Sequence, residues 1–382
     1  MTTTETRTGV SDSEILIGSS AAIGGHASFL GTQTLHGSMA YINYVNENGG
    51  VHGRQIKVIS YDDGYEPFKT VANTQTLINT DKVFALFDYV GTPTSVKIID
   101  IVHNSKVPLI GLFTGAENLR VPFRPYIFNV RDSYYAEAEG AVAYFVDDLG
   151  LEDIAVFYQD DAFGLAVLSG AQLALERRGM ETIATATYAR GTMDVEEAID
   201  VIKASEAEAV IMVGTYDPLA KFIVLSHQAE YNTLFHAVSF VRSEDFGNQL
   251  NEDIEKHHTD EGFNIEEHNK NIIVTQVVPS PFSEEYETVR EYNELVAKYY
   301  PNDEPNYVAL EGFVNAKVLV EALENAGPDL TREKFIEALE SIDHWDVGIG
   351  KEVTYGQLDH QGLSGIYYSR LSEDGTFKIF NP

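Results

Sequence analysis

Short apolar runs rich in β-branched and aromatic residues alternate along this chain with segments of helical periodicity, and the alternation is played through twice. No other feature limits the fold so strongly. In the first round the runs are Ile15–Ser19, Ile56–Tyr61, Val83–Phe87, Pro108–Phe113 and Tyr126–Val130. Helical patterns occupy Gly31–Asn48, Phe68–Asn79 and Ser95–Asn104. Within the first of these, Leu35, Met39, Ile42 and Val45 recur at three- and four-residue spacing, which makes one apolar helix face. Gly49, Gly50 and Gly53 then close it in a turn. In the second round the runs are Ile154–Tyr158, Thr182–Tyr188, Val210–Val213, Phe235–Val241 and Ile272–Val278, with helical patterns over Phe163–Arg178, Val195–Ser205 and Leu219–Ala229. A strand that is apolar on both faces needs cover on both, and alternating helices supply it. The pattern therefore predicts parallel βαβ units in two α/β domains, each of about 120–130 residues.

One pair of segments repeats in detail. Val83–Val90 leads through Gly91 to Thr92-Pro93, and Val210–Val213 leads through Gly214, Thr215 and Tyr216 to Asp217-Pro218. Thr92 and Asp217 suit the cap of a helix, where an oxygen accepts an orphan N–H. Pro93 and Pro218 suit the first helical position, where no N–H is needed. Both loops then fall at carboxyl ends of strands, where open α/β sheets bind ligands. Beyond Pro279-Ser-Pro281, helical patterns follow over Glu284–Tyr300, Ala309–Asn325 and Arg332–Ser341, and Val347–Phe380 reads as short strands and turns. Asn251–Asn271 is polar, has no clear period and reads as a surface insertion.

Composition removes several function classes. The 382 residues hold 26 Lys+Arg against 59 Asp+Glu, a net charge of −33. A nucleic-acid binder needs clustered cations, and an anionic membrane surface repels such a chain. A hydrophobic fraction of 44% supplies a core that an acidic disordered chain lacks. With no cysteine there is no disulfide, thiolate zinc site or cysteine nucleophile. No stretch approaches the ~18 consecutive apolar residues of a membrane span. Met1–Ser13 is polar and Thr-rich, which leaves open a cytosolic protein or one whose export signal has been removed.

No G-x-S-x-G, P-loop, H-E-x-x-H or G-x-G-x-x-G motif occurs, and no cofactor is expected. Gly24-Gly25-His26 lies between a strand and a helix, but its spacing is not that of a phosphate loop. His257, His258, Glu261 and His268 read either as a metal site or as a solvated loop without an i,i+4 histidine pair. Asp160 and Asp161, like Asp62 and Asp63, read as caps and loop anchors more than as catalytic carboxylates. Among 21 tyrosines, Tyr89, Tyr134, Tyr135 and Tyr216 fall at or near strand ends, where ring and hydroxyl are both useful in a cleft. Arg131 either clamps a ligand carboxylate or holds the junction through a carboxylate such as Asp132 or Glu137.

Asn46-Glu-Asn-Gly-Gly-Val-His-Gly-Arg54, Tyr61-Asp-Asp-Gly-Tyr-Glu-Pro67 and Val90-Gly-Thr-Pro-Thr-Ser95 are similar to segments of type I periplasmic binding proteins. So are Val107-Pro-Leu-Ile-Gly111, Phe113-Thr-Gly-Ala116 and Val156-Phe-Tyr-Gln-Asp-Asp-Ala-Phe-Gly164. The branch they resemble is the leucine/isoleucine/valine-binding receptors of ABC transporters, and the likeness runs from about residue 14 to 380 in order. The resemblance implies two doubly wound parallel-sheet α/β lobes joined by a three-crossover hinge and closing on a small ligand. The crossovers are expected near Arg131, near Gln276 and between Trp345 and Gly365. That gives lobe 1 as 14–131 plus 277–350 and lobe 2 as 132–276 plus 351–382, with the ligand cleft between them.

Carried over position by position, the resemblance assigns Leu30 to a first loop that packs on the ligand. It assigns the loop Tyr89–Thr94, with Gly91 and Thr92, and the segment Thr114–Gly115 to carboxylate binding. Phe163, Tyr216 and Phe240 supply the opposite wall, and Tyr134 joins the expected ligand-binding residues as a tyrosine near a strand end. The departure is at Val238-Ser-Phe-Val-Arg242: amino-acid binders carry an acid hereabouts for the ligand's ammonium, whereas this chain has Phe240, with Glu244 and Asp245 further on. Either a nearby acid substitutes or the ligand is not a standard α-amino acid. The resemblance thus implies a non-enzymatic, periplasmic or extracellular solute-binding protein that presents a small polar ligand to an ABC permease. An input domain of a receptor kinase or chemoreceptor is the alternative on the same fold.

Overall fold

A computed structural model describes residues 7–241, 250 and 269–382 of the chain. They fall into two compact units. Unit 1 runs to Asp132 and takes in Pro281–Ser364; unit 2 is Ser133–Ser280 with Gly365–Pro382.

The first half of unit 1 is a parallel sheet of β1 (Glu14–Ala21), β2 (Gln55–Asp62), β3 (Ala85–Phe87), β4 (Leu109–Ile110) and β5 (Ile127–Phe128) in the order β2-β1-β3-β4-β5. β1 and β2 pair in register from Glu14↔Gln55 to Ala21↔Asp62. β3 and β4 are buried throughout, as the uninterrupted apolar runs require. The connecting helices are α1 (Ser28–Glu47), α2 (Pro67–Asn79), α3 (Thr92–Val96) and α4 (Ile99–Ser105). The segment expected as one helix over Ser95–Asn104 is two, parted at Lys97 and Ile98.

Unit 2 opens with α5 (Tyr134–Val142), which continues as a π-helical turn over Ala143–Asp148. Its parallel strands are β6 (Ile154–Gln159), β7 (Ala184–Tyr188), β8 (Ala209–Val213), β9 (Leu234–Ala237) and β10 (Ile272–Gln276), alternating with α6 (Ala162–Glu176), α7 (Glu196–Ala204) and α8 (Tyr216–Gln228). Counted from β6, their order is again 2-1-3-4-5, so the duplication in the sequence is a duplication of topology. The core on one side of this sheet joins Phe157, Met212 and Phe235 to Ile199 and Ile202 of α7 and Phe222 of α8. Phe157 and Phe222 stack at 4.2 Å between ring centroids. β9 stops at Ala237 rather than reaching Val241, because the Ser239 N–H goes to a carboxylate of α5, Glu137, at 2.8 Å.

The rest of the chain returns to both units. α9 (Glu287–Tyr299), α10 (Tyr307–Asn325), α11 (Arg332–Glu340) and the small ladder of β11 (Trp345–Asp346) with β12 (Glu352–Val353) belong to unit 1. β13 (Tyr367–Leu371) and β14 (Phe377–Phe380) add antiparallel strands to the β10 edge of unit 2, so that sheet is mixed rather than wholly parallel. Residues 351–364, expected in the second lobe, lie in unit 1. β12 pairs with β11, the Tyr355 hydroxyl donates to the Asn129 carbonyl at 3.1 Å, and the Gly362 N–H donates to the same carbonyl at 2.8 Å.

Candidate ligand-binding faces

A sheet of order 2-1-3-4-5 reverses its winding between the first and third strands, and ligands bind outside the carboxyl ends of the strands at that point. In unit 1 the point falls between β1 and β3, and in unit 2 between β6 and β8.

After β3 the chain turns through Asp88, at φ +53°. The Phe113 N–H donates to the Tyr89 carbonyl at 2.8 Å and the Gly91 N–H to the Phe113 carbonyl at 3.1 Å, which binds the loop after β3 to the loop after β4. Gly91 has φ +94°, and a Cβ there would lie 2.2 Å from the Tyr65 ring. Only glycine meets both conditions. Gly91 is accordingly the cap of α3 and Thr92 its first residue, one place later than expected, with no side-chain cap bond. The Thr92 hydroxyl instead meets the Thr114 hydroxyl at 2.7 Å, and the Ala116 N–H donates to Thr114 at 3.3 Å. Two hydroxyls bring two protons to this contact and it uses one. Gly115, beside Thr114, is buried.

Other expected residues of unit 1 are committed to its interior. The Tyr89 hydroxyl meets Thr74 Oγ1 at 3.0 Å, and burial pushes the phenol's pKa well above its usual value. Leu30 lies in the first turn of α1, wholly buried, not in a loop. Asp63 accepts from Ser20 Oγ (2.8 Å), Thr70 Oγ1 (3.0 Å) and the Tyr65 N–H (2.9 Å); burial raises its pKa against those donors. Asp62 accepts the N–H groups of Ile23, Gly24 and Gly64 at 2.8–3.0 Å, which is the expected anchoring of the loop after β1. Arg131, 1% exposed, takes the structural course: its guanidinium pairs with Glu311 of α10 at 3.4 Å, its Nε donates to the Asp132 carbonyl at 3.4 Å, and it sits 5.6 Å from the Phe113 ring centroid.

In unit 2 the carboxyl ends of the strands carry aromatic residues. Phe163 is the second residue of α6, and its ring lies 5.2 Å from Tyr134, the first residue of α5, and 4.8 Å from Phe240 in the loop after β9. All three are fully buried. Tyr216 opens α8, half-buried, and packs on the unit's core. The cap of α8 is Thr215, two residues before the expected Asp217. Asp161 does cap α6, accepting the Phe163 N–H at 2.9 Å, while Gln159 Nε2 donates to its other oxygen at 2.7 Å.

Glu137 is the residue the sequence least advertises. It is fully buried, and it accepts the Ser239 N–H (2.8 Å), the Ser239 hydroxyl (2.8 Å) and the Thr275 hydroxyl (2.7 Å). It thereby pins the loop that carries Phe240. Tyr65, at φ +64° and fully buried beneath Gly91, has no sequence signal either. His257, His258, Glu261 and His268, with Arg242, Glu244 and Asp245, lie outside the described residues. Among the described residues no group of His, Asp or Glu is gathered to hold a metal ion, and no helix is long and apolar enough to cross a membrane.

Residues 14–376 match the family model described as periplasmic binding protein. A curated relative from Pseudomonas aeruginosa, named amino acid binding protein, is 26% identical over 195 residues, covering 50% of this chain and 51% of its own. The match thus spans about half of that relative. A crystal structure titled as a possible leucine/isoleucine/valine-binding protein from Rhodopirellula baltica superimposes with a TM-score of 0.87 at 30% identity, over 98% of both chains. A fatty acid ABC transporter substrate-binding protein from Thermomonospora curvata superimposes with a TM-score of 0.86 at 20% identity, over 99% of this chain and 94% of that one. At that identity the likeness is one of fold. With two units of the same 2-1-3-4-5 order and a family match running from β1 almost to the end of the chain, the protein belongs to the periplasmic binding protein family.

Proposed function

We propose that the protein captures a small polar organic solute outside the cytoplasmic membrane and presents it to the permease of an ABC importer. The observation that carries this reading is the Thr92–Thr114 contact: one buried hydroxyl proton has no acceptor among the described residues. A carboxylate or carbonyl oxygen on a ligand supplies that acceptor, beside N–H groups at the start of α3. The aromatic residues Tyr134, Phe163, Tyr216 and Phe240 of unit 2 then take the ligand's body. In this reading the ligand touches both faces only when the units close on it, so binding shifts the population towards the closed state. No chemical step is required of any residue.

The test is a solute screen by thermal shift, since a ligand that binds only the folded state raises its midpoint, followed by calorimetry on single variants. Thr92→Ala and Tyr216→Ala are each expected to weaken binding by about tenfold, which is about 1.4 kcal/mol, with the unliganded protein still folded. Unchanged affinity in both variants sinks the assignment of these faces.

A further inference from the structure

We propose that Asp88 is a neutral carboxylic acid that positions the loops carrying Thr92 and Thr114 on α10, and that loss of its proton loosens them. All the groups involved belong to unit 1. The proposal takes from the reading above only that these loops meet the solute. Its test uses no solute, so either can fail alone.

One side chain joins the two loops from behind. Asn315 of α10, 1% exposed, donates through Nδ2 to Asp88 Oδ1 at 2.8 Å and to the Gly111 carbonyl at 3.1 Å. Asp88 directly follows β3, and Gly111 directly follows β4. A carbonyl oxygen only accepts, so the amide nitrogen is fixed on this side, and both of its hydrogens are spent. Gly111 has φ +70°, and a Cβ there would lie 2.9 Å from Asn315 Cβ, so the amide reaches this turn because residue 111 is glycine.

What this pairing lacks is a donor. Asp88 is fully buried, and neither its Oδ2 nor Asn315 Oδ1 has a hydrogen-bond partner among the described residues. The Ser38 side chain of α1 lies beside the carboxyl, but its single proton goes to the Leu35 carbonyl at 3.1 Å. β1 offers Ser19, whose hydroxyl donates to the main-chain carbonyl of Asp88 at 3.5 Å, and β4 offers the Ile110 carbonyl, which takes the Asp88 N–H at 3.1 Å. None of these groups titrates. The charge that bears on Asp88 is Glu311, one turn before Asn315, and Arg131 lies against Glu311 at 3.4 Å. An ionised Asp88 would thus set a buried anion among acceptors and near a second acid, which is costly. One proton resolves the arrangement: Oδ2 becomes a donor, with Asn315 Oδ1 and Ser38 Oγ to accept. Burial, and after it Glu311, raises the pKa of Asp88 well above the ordinary carboxylate value. The native state then keeps a proton that the unfolded chain releases near pH 4. Stability from this source is fully present below about pH 4 and is lost as pH rises towards the folded pKa.

Infrared spectroscopy, urea unfolding and amide exchange of the whole chain test the proposal. At pH 7 the wild type is expected to show the carbonyl stretch of a protonated carboxyl group that Asp88→Asn lacks. Asn315→Leu keeps Asp88 but removes the donor to its Oδ1, and is expected to shift that band. From pH 6 to pH 10 the wild type is expected to lose stability relative to Asp88→Asn, by up to about tenfold in the unfolding constant per pH unit. Over the same range amide exchange in Tyr89–Thr94 and Phe113–Ala116 is expected to quicken beyond its ordinary pH dependence in the wild type and not in Asp88→Asn. Identical carboxyl bands in wild type and Asp88→Asn mean that Asp88 is ionised and overturn the proposal. So does a band that Asn315→Leu leaves in place. A band accompanied by parallel stability curves and equal exchange removes the positioning role and overturns it as well.

Discussion

His236 is wholly enclosed in unit 2, and burial alone pushes its pKa down from 6.5 to about 3. Its tautomer follows from its neighbour. The Thr275 hydroxyl gives its single proton to Glu137, so at 3.1 Å from His236 Nε2 its oxygen must accept, and Nε2 carries the hydrogen. The native state thus keeps a neutral imidazole at pH values where the unfolded chain binds a proton. Stability from this source is fully present above about pH 6.5 and is lost as pH falls towards 3, at up to about 1.4 kcal/mol per pH unit. Urea unfolding of wild type and His236→Phe between pH 7 and 4 is expected to show a shallower acid slope for the variant; parallel curves contradict this. At this scale the sequence is partly legible. Asp161 as a cap and Asp62 as a loop anchor follow from residue type and place alone. Glu137 does not, because its donors lie 102 and 138 positions away and no window of sequence contains them. The cap of α3 falls one place from its expected position because Thr is the better capping residue, whereas the φ of +94° and the nearby Tyr65 ring demand glycine there.

The strands are legible as elements because they are buried on both faces, so that nearly every residue in β3, β8 and β10 is apolar. The return of α10 to lie on α1 is not, since no periodicity names a partner. Two glycines make that contact possible. A Cβ on Gly37 would lie 1.8 Å from the Ala309 carbonyl oxygen, and one on Gly312 would lie 2.0 Å from the Thr34 carbonyl oxygen. The obstacles are backbone atoms, so neither helix can yield by turning a side chain. Gly37→Ala and Gly312→Ala are each expected to destabilise unit 1 by about 1–3 kcal/mol or more, the range for an overpacked interior. Gly356→Ala, where a Cβ meets nothing within 4 Å, is the control and is expected to leave the denaturation midpoint nearly unchanged. Equal midpoints for all three variants contradict the close approach.

Across the whole molecule the net charge of −33 outweighs every local electrostatic feature. Cations are too few to pair the acids. Exposed pairs such as Lys298–Glu47 and Lys221–Glu196, at 2.6 and 2.5 Å, engage some of them, but 59 acidic residues face 26 basic ones. The surplus repels itself in the folded state more than in the expanded unfolded chain, and that difference destabilises the fold. Salt acts on it in two opposed ways. It weakens the few surface pairs, each worth at most about 1 kcal/mol, and it screens the many repulsions, since the Debye length falls from about 10 Å at 0.1 M to about 3 Å at 1 M. Repulsions outnumber pairs, so the second effect wins. Raising KCl from 0.05 to 1 M at pH 7 is expected to lift the thermal midpoint by about 2–4 °C, equivalent to roughly 1 kcal/mol in a unit of 150–250 residues. Sucrose separates this from general exclusion of solute, because it stabilises by being excluded from the surface without screening charge. Acid separates it from any specific ion site: near pH 4, where many carboxylates are protonated, the increment from KCl should shrink while that from sucrose persists. A KCl effect of equal size at pH 7 and pH 4 rules out self-repulsion as its source.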